Sequence, residues 1–114
     1  VDNISFTNPI KLGNVVHIEA KVSRVFNTSM EVHIDVWGED IMQQYRYKSN
    51  EAYYTFVAMD ANGKPKTVSQ LKPETKEELQ FFDSALRRRQ LRLILAGKMK
   101  PEEALELKAL FNIQ

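Results

Sequence analysis

Apolar and polar residues alternate with a period of two through the first part of the chain. From Asn14 to Phe26 the even positions Val16, Ile18, Ala20 and Val22 are apolar, and His17, Glu19, Lys21 and Ser23 between them are polar. That period marks a strand with one buried and one wet face. Thr28 to Trp37 repeats it, with Met30, Val32, Ile34 and Val36 on one side and Glu31, His33 and Asp35 on the other. Phe26-Asn27-Thr28-Ser29 carries turn chemistry between the two runs, which predicts an antiparallel hairpin. Gly38-Glu39-Asp40 is expected to mark the next reversal. Tyr45 to Ala58, dense in Tyr, Thr, Phe and Val, then supplies a third long strand. Val1 to Thr7 reads as a shorter strand that ends at Asn8-Pro9, because a residue before proline leaves helical space and proline donates nothing to a ladder.

Asp60-Ala61-Asn62-Gly63-Lys64-Pro65 breaks the pattern with an Asn-Gly turn and a proline. Past Pro73 the period becomes helical: Leu79, Phe82, Leu86 and Leu93 recur, acids Glu74, Glu77 and Glu78 come first, and arginines from Arg87 to Arg92 follow. Acids at the start and cations further along match the helix dipole. Gly97 is expected to stop this helix, and Pro101 to open a last short one carrying Ala104, Leu105, Leu107 and Leu110. The predicted organisation is α+β: sheet over 1–60, linker over 61–73 and helical tail over 74–114. The alternation leaves one apolar sheet face, from Ile4 and Phe6 to Val36. Each large side chain buried there contributes ~1.5–3 kcal/mol, so a helix is expected to cover it. The narrow stripe of the tail helix fits that task poorly.

Composition narrows the chemistry. The 114 residues contain no cysteine, which excludes disulfides, thiolate metal sites and a cysteine nucleophile. No apolar run approaches the ~20 residues of a membrane span. The net charge of +1 conceals an asymmetry, since residues 1–60 hold five Lys/Arg against eight Asp/Glu, and residues 61–114 hold eleven against seven. His17 and His33, with Glu19, Glu31 and Asp35 near, have the residue types of a divalent-metal site, but polar residues populate the wet face of any antiparallel sheet, and no metal is expected. No Gly-x-Ser-x-Gly elbow and no glycine-rich phosphate loop is present. Arg87, Arg88, Arg89 and Arg92 have the chemistry to hold phosphates, though taken alone they read first as the solvated face of an amphipathic helix. Tyr45, Tyr47, Tyr53, Tyr54 and Phe56 are expected to pack across strands rather than stack on bases.

Several motifs together resemble the hotdog-fold acyl-CoA thioesterases of the acyl-CoA hydrolase branch. Val1-Asp2-Asn3-Ile4-Ser5-Phe6, followed by Pro9-Ile10 and Gly13, resembles that family's first strand and turn. Asn27-Thr28-Ser29-Met30-Glu31-Val32 is similar to its Thr-Ser-Met-Glu hairpin. Ala52-Tyr53-Tyr54-Thr55-Phe56-Val57-Ala58-Met59-Asp60 is similar to its last strand. Gly63-Lys64-Pro65 and Pro73-Glu74-Thr75 ahead of an Arg-Arg helix extend the likeness to about residue 92.

The resemblance implies a hotdog-type antiparallel sheet whose central helix, with the catalytic carboxylate or amide, is expected upstream of Val1. The catalytic residue is therefore unassigned, and these residues alone are expected to be inactive. The implied function is hydrolysis of acyl-CoA to free fatty acid and coenzyme A by carboxylate-assisted attack on the thioester; the alternative is a non-catalytic module that binds CoA or a nucleotide. Thr28, Ser29, Met30, Arg88 and Arg89 are the implied CoA-binding residues, although Gln90 stands where relatives often carry a further basic residue. Coenzyme A enters as a substrate moiety, with no separate cofactor. A cytoplasmic homo-oligomer, a dimer or trimer of dimers, is implied, with neither nucleic acid nor membrane as partner.

Overall fold

The computed structural model describes residues 3–104. Its elements are β1 (Asn3–Phe6), β2 (Val15–Val25), β3 (Ser29–Asp40), β4 (Tyr45–Val57), the helix α1 (Lys76–Leu95) and a 3-10 turn at Pro101–Glu103. Leu105, Leu107 and Leu110 of the expected last helix lie outside the described residues. The chain divides into two compact units, one ending at Gln70 and one beginning at Leu71. The first includes most of the predicted linker. Lys66 N–H donates to Ala58 C=O and Val68 N–H to Asn27 C=O, both at 2.9 Å, so the polar segment is bonded back to the sheet.

The strands form one antiparallel sheet in the order β1-β4-β3-β2. Ile18 faces Val36, Ala20 faces Ile34, and Val22 faces Val32. On the next strand Ile34 faces Ala52 and Val32 faces Tyr54. Directly opposed residues share a face, so the even-numbered apolar positions gather on one side, as the alternation predicts.

Two register shifts interrupt this parity. One lies between Val22 and Arg24 against β3, and the other leaves Ser49 extra between Lys48 and Asn50. A bulge lets two residues oppose one, which moves the following side chains to the other face. Both extra residues are buried serines with bonded hydroxyls. Ser23 Oγ donates to Glu31 Oε1 at 2.6 Å, and Ser49 Oγ donates to Asn8 C=O at 2.7 Å.

The expected reversal at Gly38 is corrected by the structure. β3 continues through Gly38 to Asp40, and the turn occupies 41–44, where Gln44 takes a φ of 52°. Gly38 serves close packing instead, because a Cβ there would collide with the Tyr47 ring. Asn14 Nδ2 holds that ring by donating to Tyr47 Oη at 2.7 Å.

In the second unit, Thr75 caps α1 by accepting from Glu78 N–H at 3.0 Å, and Glu77 and Glu78 occupy the positive first turn. Gly97, with φ +72°, closes the far end while Lys98 N–H donates to Leu93 C=O.

Candidate functional site

The two faces of the sheet differ sharply in burial. On the apolar face Phe6 is 75% exposed and Ile18 66%, and Ile4, Val16, Val22 and Phe56 are exposed as well. The buried hydrophobic residues among those described are Val25, Ala52, Ala85 and Ala104, and none is large. A row of aliphatic side chains thus lies open on a sheet whose backbone is fully paired in the interior. The helical cover expected from the sequence is not among the elements of the first unit.

The opposite face is polar, open at Glu19 and Lys21 on β2 and closed at Glu31 and His33 on β3. Glu31 is 3% exposed and His33 7%. His33 Nε2 lies 3.0 Å from Glu51 Oε1 and 3.5 Å from Asp35 Oδ1. Lys48 Nζ lies 2.9 Å from Asp35 Oδ1 and 3.0 Å from Glu51 Oε2. Tyr53 donates to Glu51 Oε1 at 3.0 Å and tilts its ring against His33. The Ser49 bulge makes this cluster. Lys48 and Glu51 are three residues apart, which in a regular strand puts them on opposite faces. Burial alone pushes the Glu51 carboxyl up, but hydrogen bonds from Lys48, Tyr53 and His33 and the charge of Lys48 outweigh it, lowering it to about 2. Chiefly through its bond to Asp35, the Lys48 ammonium is raised above its ordinary value.

The register separates the histidines that the sequence places on one face. His17 stands opposite Trp37, and His33 stands opposite Lys21. The four residue steps from His33 to Trp37 span about 13 Å. His17 Nε2 instead meets Glu39 Oε2 at 2.8 Å. Glu51 and Lys48 were missed by sequence reasoning. Their signal was the switch from odd apolar positions (Tyr45, Tyr47) to even ones (Ala52, Tyr54, Phe56), which betrays the bulge.

Thr28, Ser29 and Met30 lie together where β2 turns into β3. The carbonyls at this tip are engaged: Thr28 C=O accepts from Ala58 N–H at 2.8 Å, Asn27 C=O from Val68 N–H at 2.9 Å, and Phe26 C=O from Gln70 Nε2 at 3.1 Å. Ser29 is buried, Thr28 and Met30 are half-buried, and Asn27 is exposed. Arg88 and Arg89 belong to the second unit. Both are half-buried, and Arg88 donates to Phe81 C=O. Burial, then the charge of Arg92, lowers the Arg89 guanidinium from its ordinary value.

A four-stranded antiparallel sheet with one open aliphatic face, together with the helix of the second unit, makes the described chain α+β. Residues 1–44 match the Thioesterase superfamily. The chain is 38% identical over 92 residues to the protein VdlD of Helicobacter pylori, covering 81% of this chain and 52% of that protein. It is 41% identical over 100 residues to acyl-coenzyme A thioesterase 11 of Mus musculus, covering 88% of this chain and 17% of that protein. The chain thus spans about half the length of VdlD and less of the mouse enzyme. Its fold is similar to an apo-hexameric acyl-CoA thioesterase, at a TM-score of 0.79 and 33% identity, over 83% of this chain and 61% of that one. It is also similar to the acyl-CoA hydrolase of Staphylococcus aureus in complex with butyryl coenzyme A, coenzyme A and coenzyme A disulfide, at a TM-score of 0.72 and 35% identity, over 85% and 61%. The chain is a relative of the hotdog-fold acyl-CoA thioesterases.

Proposed function

We propose that this chain is part of an acyl-CoA thioesterase, a hydrolase that converts acyl-CoA to free fatty acid and coenzyme A. The observation that carries the reading is the open apolar face, with Phe6, Ile18 and Phe56 exposed, in a chain 33% identical to an acyl-CoA thioesterase and 35% identical to an acyl-CoA hydrolase of similar fold. The catalytic group remains unassigned in this reading. The chemistry needs a carboxylate that activates water, or attacks the thioester carbonyl itself, and backbone N–H groups that hold the oxyanion. Coenzyme A is a substrate moiety. The proposed contacts to it are Thr28, Ser29 and Met30 at the hairpin and Arg88 and Arg89 on α1.

A homo-oligomer belongs to the proposal, supported by the hexameric state of a similar enzyme and by the exposed edge of β2, which soluble proteins pair or cover. The proposed location is the cytoplasm. A similar protein of Mus musculus, 35% identical over 85 residues, is a cytosolic acyl coenzyme A thioester hydrolase. Among the described residues no helix is long and apolar enough to cross a membrane.

A thiol-release assay on a protein of the relatives' length, run across acyl chain lengths, tests the hydrolase. Turnover is expected. CoA binding without turnover would transfer the reading to a non-catalytic binding module, and neither would end both. The paired substitution Arg88→Ala with Arg89→Ala tests the phosphate contacts. It should raise KM for acyl-CoA and leave kcat nearly unchanged, because phosphates far from the thioester are bound equally in ground and transition states. The rise should shrink with added salt. An unchanged KM at low salt returns both arginines to a structural role.

A further inference from the structure

We propose that His33, Asp35 and Glu51 form a divalent transition-metal site on the polar face of the sheet, with the Lys48 ammonium as the cation that a metal must displace. The three residues come from two strands. His33 and Asp35 are neighbours on one face of β3, and Glu51 stands directly opposite Asp35 on β4. One ligand atom from each lies within 4.8 Å of the others. Metal–ligand bonds of about 2.0–2.2 Å at a tetrahedral centre put ligand atoms ~3.3–3.6 Å apart. His33 Nε2 lies 3.0 Å from Glu51 Oε1 and 3.5 Å from Asp35 Oδ1, so two edges of such a centre are nearly formed.

The position of Lys48 supports the assignment independently. Its Nζ sits 2.9 Å from Asp35 and 3.0 Å from Glu51, which marks the space between the two carboxylates as a place that already holds a cation. The Lys48 and Glu51 side chains are 38% and 33% exposed, which gives an entry path and lets the lysine swing into solvent. Tyr53 donates to Glu51 Oε1, the oxygen that also faces His33, as outer partners orient metal-binding carboxylates. One imidazole and two carboxylates are a borderline-to-hard donor set, suited to Zn2+ and its neighbours. The site departs from the sequence expectation of no metal, because the register brings His33 to Glu51 rather than to His17.

The test is titration of the full chain with Zn2+ alone, followed by calorimetry and by the fluorescence of Trp37. That residue is the sole tryptophan, and its ring centroid lies 5.9 Å from Lys48 Nζ. One Zn2+ per chain is expected, with a fluorescence change as Lys48 leaves the ring. Lys48→Met should tighten binding about tenfold or more, because the competing charge is gone. Glu51→Gln should weaken it at least ~10-fold. His17→Gln, at the separate His17–Glu39 pair, should change nothing. Uptake by Lys48→Met but not by the wild type overturns the proposal, because the metal then fails to displace Lys48. The proposal is overturned if neither the wild type nor Lys48→Met takes up Zn2+ at ~1 mM, or if Lys48→Met binds no more tightly than a binding wild type. Binding lost in His17→Gln but kept in Glu51→Gln also overturns it.

Discussion

Ile18 on β2 and His33 on β3 belong to opposite faces of one sheet, and their exposures run against their hydropathy: 66% for the isoleucine and 7% for the histidine. The polar face closes at β3 because its groups there satisfy one another at short range. Ser23 bonds Glu31, Lys48 bridges Asp35 and Glu51, and Tyr53 and His33 complete the ring. Aliphatic groups have no directional bonds to make, so Ile18, Val16 and Phe6 gain free energy only by being covered. Polarity therefore says which face can stabilise itself, and apolarity says which face requires another element.

The widest separation between the faces should appear on substituting Ile18→Asp. In this chain by itself the side chain is mostly solvated, and the cost should stay within about 0.5 kcal/mol. In a protein of the relatives' length, if it supplies the helix expected to cover this face, the buried carboxylate should cost at least ~3 kcal/mol. Urea denaturation of both forms reads the two values. Equal small costs would mean that the face stays open, and the comparison of faces would lose its meaning.

Ser23→Ala tests the polar face by the same measurement. It removes a 2.6 Å bond to a carboxylate that is 3% exposed, and the expected cost is ~1–3 kcal/mol. In the chain by itself the loss of one small hydroxyl should thus exceed the conversion of an isoleucine to an aspartate. A hydropathy scale predicts the reverse order, so a smaller cost for Ser23→Ala would restore the ordinary view of this sheet.

Much of the sheet was legible because alternation specifies faces. Val16 to Val22 and Met30 to Val36 share a side, and the antiparallel hairpin at 26–29 follows from its turn residues. The helix was legible from Thr75, the early acids and Gly97, which are local signals. What escaped depends on pairing across strands. Gly38 reads as turn chemistry, but the reason for a glycine there is the Tyr47 ring on the neighbouring strand. The meeting of Glu51 with His33 needs the register, and the presence of Lys48 beside them needs the Ser49 bulge. Of the candidate binding residues, Thr28, Ser29 and Met30 were visible as a hairpin. The engagement of that hairpin's carbonyls by residues 58–70 was not, because those bonds join segments that are distant in sequence.

The smallest expected effect is the acid dependence of the polar face. The Glu51 carboxyl is lowered from 4.5 to about 2, so the folded state binds its proton less readily than the unfolded chain does. Stability from this group is therefore fully present above pH 4.5 and is lost as pH falls toward about 2. The side chain is 33% exposed and water screens its partners, which limits the contribution to about 1–2 kcal/mol. Glu51→Gln keeps the shape and one acceptor oxygen but loses the charge that faces Lys48. At neutral pH the variant should be less stable by that amount, and the gap should narrow as pH drops below 4.5. Urea midpoints at pH 7 and pH 3 decide the matter. A gap of the same size at both values would mean that the packing of the side chain, rather than its charge, stabilises this face.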